Sequence, residues 1–348
     1  MKKLILAFVF IGLTIVFAQN PLEKISPKLQ TKIQSDLQSD NYLVWIYFTD
    51  KGNNTESYLS DPLSVVSQKS LYRRAKVLNQ SHLINFTDIP VNQNYVNELI
   101  ANGFVLKHKS KWFNAVSGYA SENEITQISL NTFVSSIDVV GAFAKKADDV
   151  EFSSIQTGFD NPLQPEGIHS FNYGSAYTQL QMSNVPAVHD LGFNGTGVSI
   201  CVMDAGFDNL PHIAFSNMNI IAKWDFVNGD PNVGNQGDMG EGSHGTATLS
   251  LIGGFQEGEM IGPAFGSTYI LAKTENTDSE TPVEEDNWVA ALEWADSIGV
   301  DVTSTSLGYL DYESPFTSYT WQDMDGNTAL ITRAGDLAVG RGIVVVNS

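Results

Sequence analysis

The sequence predicts an α/β domain with a mostly parallel sheet and helices on both faces, preceded by a small α+β domain. From Gly195 onward, apolar strand-like runs alternate with helical patterns, which is typical of parallel sheets covered by helices. Residues 19–146 include 13 basic and 11 acidic residues, whereas residues 147–348 include 4 basic and 28 acidic ones. Such different balances, +2 and −24, indicate two folding units that attract each other.

The composition narrows the classes of function. The chain has 348 residues, 42% of them hydrophobic and 17% charged, which excludes a disordered protein and a small disulfide scaffold. Its formal net charge of −20 repels phosphate backbones and anionic lipid headgroups. The sequence therefore argues against a nucleic-acid partner and against a role at a membrane surface.

Residues 1–18 have the features of a signal peptide. Lys2 and Lys3 precede an uncharged run, residues 4–17, and small residues lead to a predicted cleavage point after Ala18. The run has 14 residues, fewer than the ~20 that span a bilayer, so cleavage is favoured over a membrane anchor. We therefore expect a secreted protein with no membrane segment once the signal is removed.

Residues 19–146 form the predicted α+β domain, with elements in the order β-α-α-β-β-α-β. The predicted strands are 42–48, 104–109, 112–120 and 133–140, and the helices lie around 64–78, around 91–102 and after the capping-box sequence 121–124. No nucleophile, metal cluster or phosphate-binding loop stands out here, and His82 and His108 are interpreted as surface or structural residues. The domain is expected to bind a partner rather than to perform chemistry.

A polar stretch without periodicity, residues 147–174, contains several glycines and prolines and predicts a linker and maturation region open to proteolysis. The second domain is expected to cover residues 175–348. Its predicted strands are 198–203, 268–273, 301–306 and 342–346, and its predicted helices are 244–252, 286–298 and 327–339. The only cysteine, Cys201, lies in the first of these strands and is interpreted as buried and inert.

Residues able to carry chemistry follow these strands. Asp204 comes directly after the first strand, and the segment Ser306, Leu307 and Gly308 stands at the end of the third. His244 opens a helix between nearby glycines. Ligands of open α/β sheets bind at the carboxyl ends of strands, so these residues are expected to share a cleft. Each feature alone also fits an ordinary turn or helix cap. Their order and spacing together indicate a site.

Three segments, VSICVMDAGF, GSHGTATLS and TSTSLGY, resemble the motifs of the subtilisin-like serine peptidases, or subtilases (peptidase family S8). The resemblance implies that Asp204 and His244 are two members of an Asp-His-Ser triad. It also implies that residues 306–308 pair with the substrate backbone and wall the S1 pocket. The small domain would be a propeptide, bound intramolecularly as folding chaperone and inhibitor, and the substrate would be a peptide or protein.

The resemblance also implies a mechanism. Asp204 would accept a hydrogen bond from His244, and His244 would take the proton of the serine and pass it to the leaving amine. Activity should rise as His244 loses its proton, near pH ~6.5 if its pKa is ordinary. No cofactor is required for this chemistry, and no metal ligands are assigned.

Two acidic segments leave alternatives open. Residues 275–286 include six carboxylates and could form an acidic rim that favours basic peptides, a structural calcium site or a solvated loop. Residues 323–326 could hold a cation or lead into the next helix.

The chain departs from the family pattern at three places. Ala205 replaces the usual threonine after the aspartate, and residues 248–250, Thr-Leu-Ser, replace Val-Ala-Gly, which implies different helix packing. No Gly-Thr-Ser-x-Ala motif is present in the 104 residues after His244, and Asn347 lies upstream of the position of the oxyanion asparagine. We therefore expect an N-terminal fragment that stops inside its catalytic domain and is inactive alone.

Two other functions remain as alternatives. One is a non-catalytic secreted binding protein on a subtilase scaffold. The other is a phosphatase with Asp204 as nucleophile, which would need metal-binding acids at other strand ends and would release phosphate only with Mg²⁺. For the favoured function, attraction between the oppositely charged units should weaken with salt.

Overall fold

The computed structural model describes residues 21–36, 39–140, 167–236, 243–276, 283–309 and 319–348. The predicted signal peptide, residues 1–18, and most of the predicted linker, residues 147–166, lie outside the described residues. Among the described residues, no helix is both long enough and apolar enough to cross a membrane.

An antiparallel four-stranded sheet forms the centre of the first unit. Its strands are β1 (Tyr42–Phe48), β2 (Val105–Ser110), β3 (Ala115–Ala120) and β4 (Val134–Val139), in the spatial order β2-β3-β1-β4. Its α-helices are α1 (Pro27–Ser35), α2 (Thr55–Ser60), α3 (Gln68–Arg74), α4 (Gln93–Ala101) and α5 (Glu122–Ser129). Short 3₁₀ helices cover Pro21–Lys24, Pro62–Ser64, Gln80–His82 and Phe86–Asp88. The α+β class is confirmed, whereas α1 and α2 were not predicted.

The capping box at the start of α5 is confirmed. Ser121 Oγ accepts a hydrogen bond from the Glu124 backbone N–H at 3.3 Å, and Glu124 Oε2 accepts one from the Ser121 N–H at 2.7 Å. Two backbone donors that the helix itself leaves unpaired are thereby satisfied. Ile125 then packs, fully buried, against the core under the sheet.

A five-stranded parallel sheet forms the centre of the second unit. The strands of this unit are β5 (Ser199–Asp204), β6 (Asn219–Asp225), β7 (Phe255–Gln256), β8 (Met260–Ile261), β9 (Thr268–Lys273), β10 (Val302–Thr305) and β11 (Val344–Asn347). The parallel order is β11-β10-β5-β9-β6, and β7 and β8 pair as a separate antiparallel ribbon. The helices are α6 (Tyr177–Met182), α7 (Val185–Asp190), α8 (Ser243–Gly253), α9 (Val283–Ile298) and α10 (Leu330–Val339), and 3₁₀ helices cover Ile213–Phe215 and Trp321–Asp323.

Helices cover both faces of this sheet, as predicted. Ile200 and Val202 of β5 point to one face and pack in a core with Leu249 of α8. Cys201 and Met203 point to the other face and pack in a core that includes residues of α9 and α10. Successive residues of a strand face opposite sides, so a strand buried on both faces reads as one continuous apolar run. Burial raises the pKa of the Cys201 thiol, in agreement with an inert cysteine.

Strand β6 and helix α10 are among the elements of the second unit that differ from the sequence prediction. Strand β6 was missed because it lies at the sheet edge and exposes polar and apolar residues alike, so it lacks a continuous apolar run. Helix α10 begins at Leu330 rather than near Asn327. The Asp325 carboxylate accepts hydrogen bonds from the N–H groups of Asn327 and Thr328, both at 2.8 Å, and holds those residues in a turn.

Candidate active site

Asp204 lies at the carboxyl end of β5, between β9 and β10, and is completely buried. Its backbone carbonyl accepts a hydrogen bond from the Thr274 N–H at 3.0 Å, which ties it to the end of β9. Its side-chain Oδ1 accepts a hydrogen bond from the Ala205 N–H at 2.7 Å. A buried carboxylate is stable only when it is hydrogen-bonded, so these contacts fix both its place and its direction.

His244 is the second residue of α8, and the structure brings it to Asp204. Its Nδ1 lies 2.7 Å from Asp204 Oδ1, and its side chain is 29% exposed. A neutral imidazole that donates Nδ1–H to a carboxylate carries its basic lone pair on Nε2. The arrangement can therefore take up a proton at Nε2 and stabilise the resulting imidazolium through Asp204.

Gly245 permits this close approach between α8 and the end of β5. A Cβ at this position would lie 2.2 Å from the Gly206 carbonyl oxygen and 3.0 Å from Asp204 Cβ. Both are backbone-linked atoms that cannot move aside at low cost. The sequence predicted close backbone packing at the glycines beside His244, and Gly245 packs closely against the end of β5.

Replacing Gly245 with alanine should therefore destabilise the chain and separate His244 from Asp204. We expect a loss of about 1–3 kcal/mol, measured by urea unfolding, because the added methyl group forces α8 away from β5. Gly335 in α10 is a matched control, since a Cβ there meets nothing within 4 Å. G335A should raise stability by up to about 1 kcal/mol through helix propensity. Equal effects of the two substitutions would contradict this account of Gly245.

Ser306, Leu307 and Gly308 follow β10, which ends at Thr305, one residue earlier than predicted. Thr305 pairs with Met203, so Ser306 and Asp204 stand at the ends of neighbouring strands. Gly308 is exposed, and a Cβ added to it would meet nothing within 4 Å. It adjoins a cavity of about 390 Å³ whose lining includes Trp288, Ile331 and Val345. The exposed Gly308 beside this apolar cavity suits contact with an extended peptide, whereas the Leu307 carbonyl oxygen accepts hydrogen bonds from Asn347 Nδ2 and Ser348 Oγ.

The described acidic residues of the run 275–286 are buried, so they form neither an exposed acidic rim nor a solvated loop. Glu284, Glu285 and Asp286 are buried in the first turn of α9, and residues 277–282 of the acidic run lie outside the described residues. Within the described ranges, no group of three or more His, Cys, Asp or Glu side chains is placed to hold a metal ion. The carboxylate of Asp325 is used in the turn before α10, which favours the lead into a helix over a cation loop.

The first unit packs on α9 through the turn between β2 and β3. The buried Glu293 side chain accepts hydrogen bonds from Ser110 Oγ at 2.5 Å and from the N–H groups of Lys111 and Trp112 at 2.9 and 3.2 Å. The Trp112 ring enters the core of the second unit, with the Arg341 guanidinium 4.7 Å from a ring centroid. Burial raises the pKa of Glu293. The two units are thus joined by a common apolar core as well as by attraction between their opposite charges.

A buried ionic network forms the second part of this interface. Arg73 and Arg74 of α3 both contact the Asp296 carboxylate of α9, the latter at 2.5 Å, and Arg74 also contacts Asp88 at 2.8 Å. These side chains are no more than 2% exposed. This network was not predicted from the sequence, in which two adjacent arginines in a predicted helix of the first unit were the available signal. Because the network is buried, added salt should screen it little. Salt should mainly weaken the more exposed Lys69–Asp301 ion pair and slow the association of the two units.

His108 is confirmed as a structural residue, at the same interface. Its Nε2 lies 2.6 Å from Asn287 Oδ1 of α9, and burial lowers its pKa to about 4. Nearby, Asp286 is fully buried facing Ser117 and Trp45 of the first unit, and burial raises its pKa well above the usual range. His82 is exposed, with its Nδ1 near Ser81 Oγ.

Comparison with known proteins finds family matches for two segments of the chain. Residues 43–154 match the family described as "Peptidase S8 propeptide domain, Bacteroidota", and residues 195–348 match the subtilase family. The M-protease of Shouchella clausii (strain KSM-K16) is 23% identical over 296 residues, which cover 82% of this chain and 64% of that protein. Subtilisin BL of Lederbergia lenta is 28% identical over 161 residues, 46% of this chain and 50% of that protein.

A solved structure shows the same fold. Fervidolysin from Fervidobacterium pennivorans, described as a keratinolytic enzyme related to subtilisin, has a TM-score of 0.51 and 13% sequence identity. The similarity covers 88% of this chain and 39% of that one. The chain spans about half to two thirds of the length of the M-protease and of subtilisin BL.

Proposed function

The chain belongs to the subtilase family, with an S8 propeptide domain ahead of its peptidase domain, and on that premise we propose that it is part of a secreted serine endopeptidase precursor. It would cleave peptide bonds with an Asp-His-Ser triad in which Asp204 and His244 are the first two members. The observation that carries this proposal is the 2.7 Å contact between His244 Nδ1 and Asp204 Oδ1. The serine and the oxyanion asparagine would be supplied by a segment that follows residue 348.

The residues present have distinct parts in this mechanism. Asp204 holds His244 in the tautomer whose Nε2 accepts a proton, and its charge stabilises the imidazolium that forms. His244 removes the proton of the serine hydroxyl and then donates it to the leaving amine. Residues 306–308 would pair with the backbone of the peptide or protein substrate beside the apolar cavity. This chemistry needs no cofactor.

The first unit would act as an intramolecular propeptide. It covers α9 with a hydrogen-bonded turn at Glu293, a shared apolar core at Trp112 and the ionic network at Asp296. These contacts join segments far apart in the chain, so docking of the first unit would assist folding of the second. Release of the propeptide would require cleavage in the region between the two units.

The test begins with the coding DNA beyond the Ser348 codon. We expect the frame to continue through an Ala-Gly-Asn segment and a Gly-Thr-Ser motif, and we call that product the extended protein. The extended protein should hydrolyse casein and react with a fluorophosphonate, which labels activated serines. The 348-residue chain is the matched control and should do neither. A stop codon directly after Ser348, or an extended protein that neither cleaves nor labels, would reject the proposal and favour a binding protein.

The His108 contact predicts a pH dependence of stability. Its lowered pKa means that the folded chain holds neutral histidine, so this stabilisation is present above the ordinary pKa near ~6.5 and is lost as pH falls toward about 4. Between about pH 7.5 and 5.5, wild type should lose about 1 kcal/mol more stability than H108Q, measured by urea unfolding. H82Q, at an exposed histidine, should follow wild type. Parallel pH profiles for wild type and H108Q would refute this role.

A further inference from the structure

Thr248 contacts the side of the Asp204 carboxylate that His244 does not use. Asp204 Oδ1 receives the Ala205 N–H and His244 Nδ1, both at 2.7 Å. Asp204 Oδ2 lies 2.9 Å from Thr248 Oγ1. Across the described residues, these are the side-chain hydrogen bonds that the structure gives this carboxylate, so Thr248 holds one of its two oxygens alone.

The position of Thr248 follows from helix geometry. His244 and Thr248 are four residues apart in α8 and therefore lie on the same face, one turn apart. Both reach the end of β5 because Gly245 between them lets the helix approach Asp204 closely. Threonine replaces the family's common valine at this position, and from the sequence alone we expect only a change in helix packing. The structure adds a polar contact that valine would not make.

The threonine hydroxyl has a second acceptor within reach. The Gly245 carbonyl oxygen lies 3.0 Å from Thr248 Oγ1, and a hydroxyl has one proton to donate. An ionised carboxylate is a stronger acceptor than an amide carbonyl, and a buried carboxylate oxygen without a donor is costly. The hydroxyl proton is therefore donated to Asp204 Oδ2.

We infer that Thr248 is a positioning residue for the Asp204–His244 pair. Its hydroxyl anchors Oδ2, so that the carboxylate cannot rotate and Oδ1 stays directed at His244 Nδ1. By drawing negative charge toward Oδ2, the same hydrogen bond moderates the attraction between Asp204 and the imidazolium. The inference rests on the proposed function, because it gives Thr248 a part in the same proton transfer.

The experiment is an NMR pH titration of His244 in the 348-residue chain labelled with ¹⁵N-histidine. T248V removes the hydroxyl at nearly constant volume and should raise the pKa of His244 by about half a unit, a threefold change in its protonation constant. T248A, which needs no added space, should give the same shift, and T248S should restore the wild-type titration. S250A is the matched control. Ser250 Oγ donates to the Ala247 carbonyl of α8 at 2.7 Å, as Thr248 Oγ1 can to the Gly245 carbonyl, but Ser250 does not contact Asp204.

D204N separates failure of this inference from failure of the proposed function. If D204N changes the His244 titration but T248V and T248A do not, Thr248 is only a helix residue and the inference is overturned. If D204N also leaves His244 unchanged, the pair is not coupled, and the proposed triad fails with it. A shift in T248V and T248A that T248S does not reverse would assign the effect to packing and would likewise overturn the role of the hydroxyl.

Discussion

Replacing Asp204 with asparagine should lower kcat for peptide hydrolysis by the extended protein about 10⁴-fold. Asparagine has the same shape, but its amide offers no negative charge to an imidazolium. The His244 tautomer with the proton on Nε2 then becomes favourable, and that nitrogen can no longer accept the proton of the serine. The loss therefore concerns the chemical step, and KM should change little because residues 306–308 are untouched.

The measurement is kcat and KM on a short chromogenic peptide, with the enzyme concentration fixed by titration of intact active sites. D208N is the matched control, because Asp208 is an exposed carboxylate four residues further along the chain, in the loop after β5. We expect D208N to retain activity within about twofold, as for a surface residue with no part in the transition state. A D204N enzyme that keeps a tenth or more of the wild-type kcat would contradict the assignment of Asp204.

Replacing Asp296 with alanine should destabilise the 348-residue chain by about 3–5 kcal/mol. The substitution removes the carboxylate that Arg73 and Arg74 share and leaves their guanidinium groups buried with less compensating charge. Asp88 contacts Arg74 at 2.8 Å and can offset only part of this loss. Because the network joins the two units, the destabilisation should appear as earlier separation of the first unit from α9.

Urea unfolding followed by tryptophan fluorescence measures this effect, since Trp112 passes from the shared core to water when the units separate. D36A is the matched control: the Lys32–Asp36 pair is exposed, and its loss should cost no more than about 0.5 kcal/mol. A double-mutant cycle with R73A isolates the energy of the Arg73–Asp296 pair. A cost for D296A similar to that for D36A would show that the network does not hold the units together.

The parts of the fold that the sequence predicted well are those with strong local patterns. Strands β1 and β9 begin and end where predicted, because each consists mainly of apolar, aromatic and β-branched residues and lies in the interior of a sheet. The capping box of α5 was equally clear, since Ser121 and Glu124, three residues apart, determine it. Edge strand β6 and helices α6 and α7 were missed, because their exposed faces dilute the apolar pattern.

For the candidate site, the sequence by itself identified Asp204 and His244 as members of one site. Asp204 and His244 stand at a strand end and a helix start, positions set by local pattern, and their motif order indicated that they belong together. Only the tertiary structure decided the contacts: the Asp204–Thr248 hydrogen bond spans 44 residues and the Arg73–Asp296 pair spans 223. Such pairs depend on the strand order β11-β10-β5-β9-β6 and on the packing of one unit against the other. Local periodicity encodes which face of an element is buried, but the partner of that face is selected by the free energy of packing the whole chain.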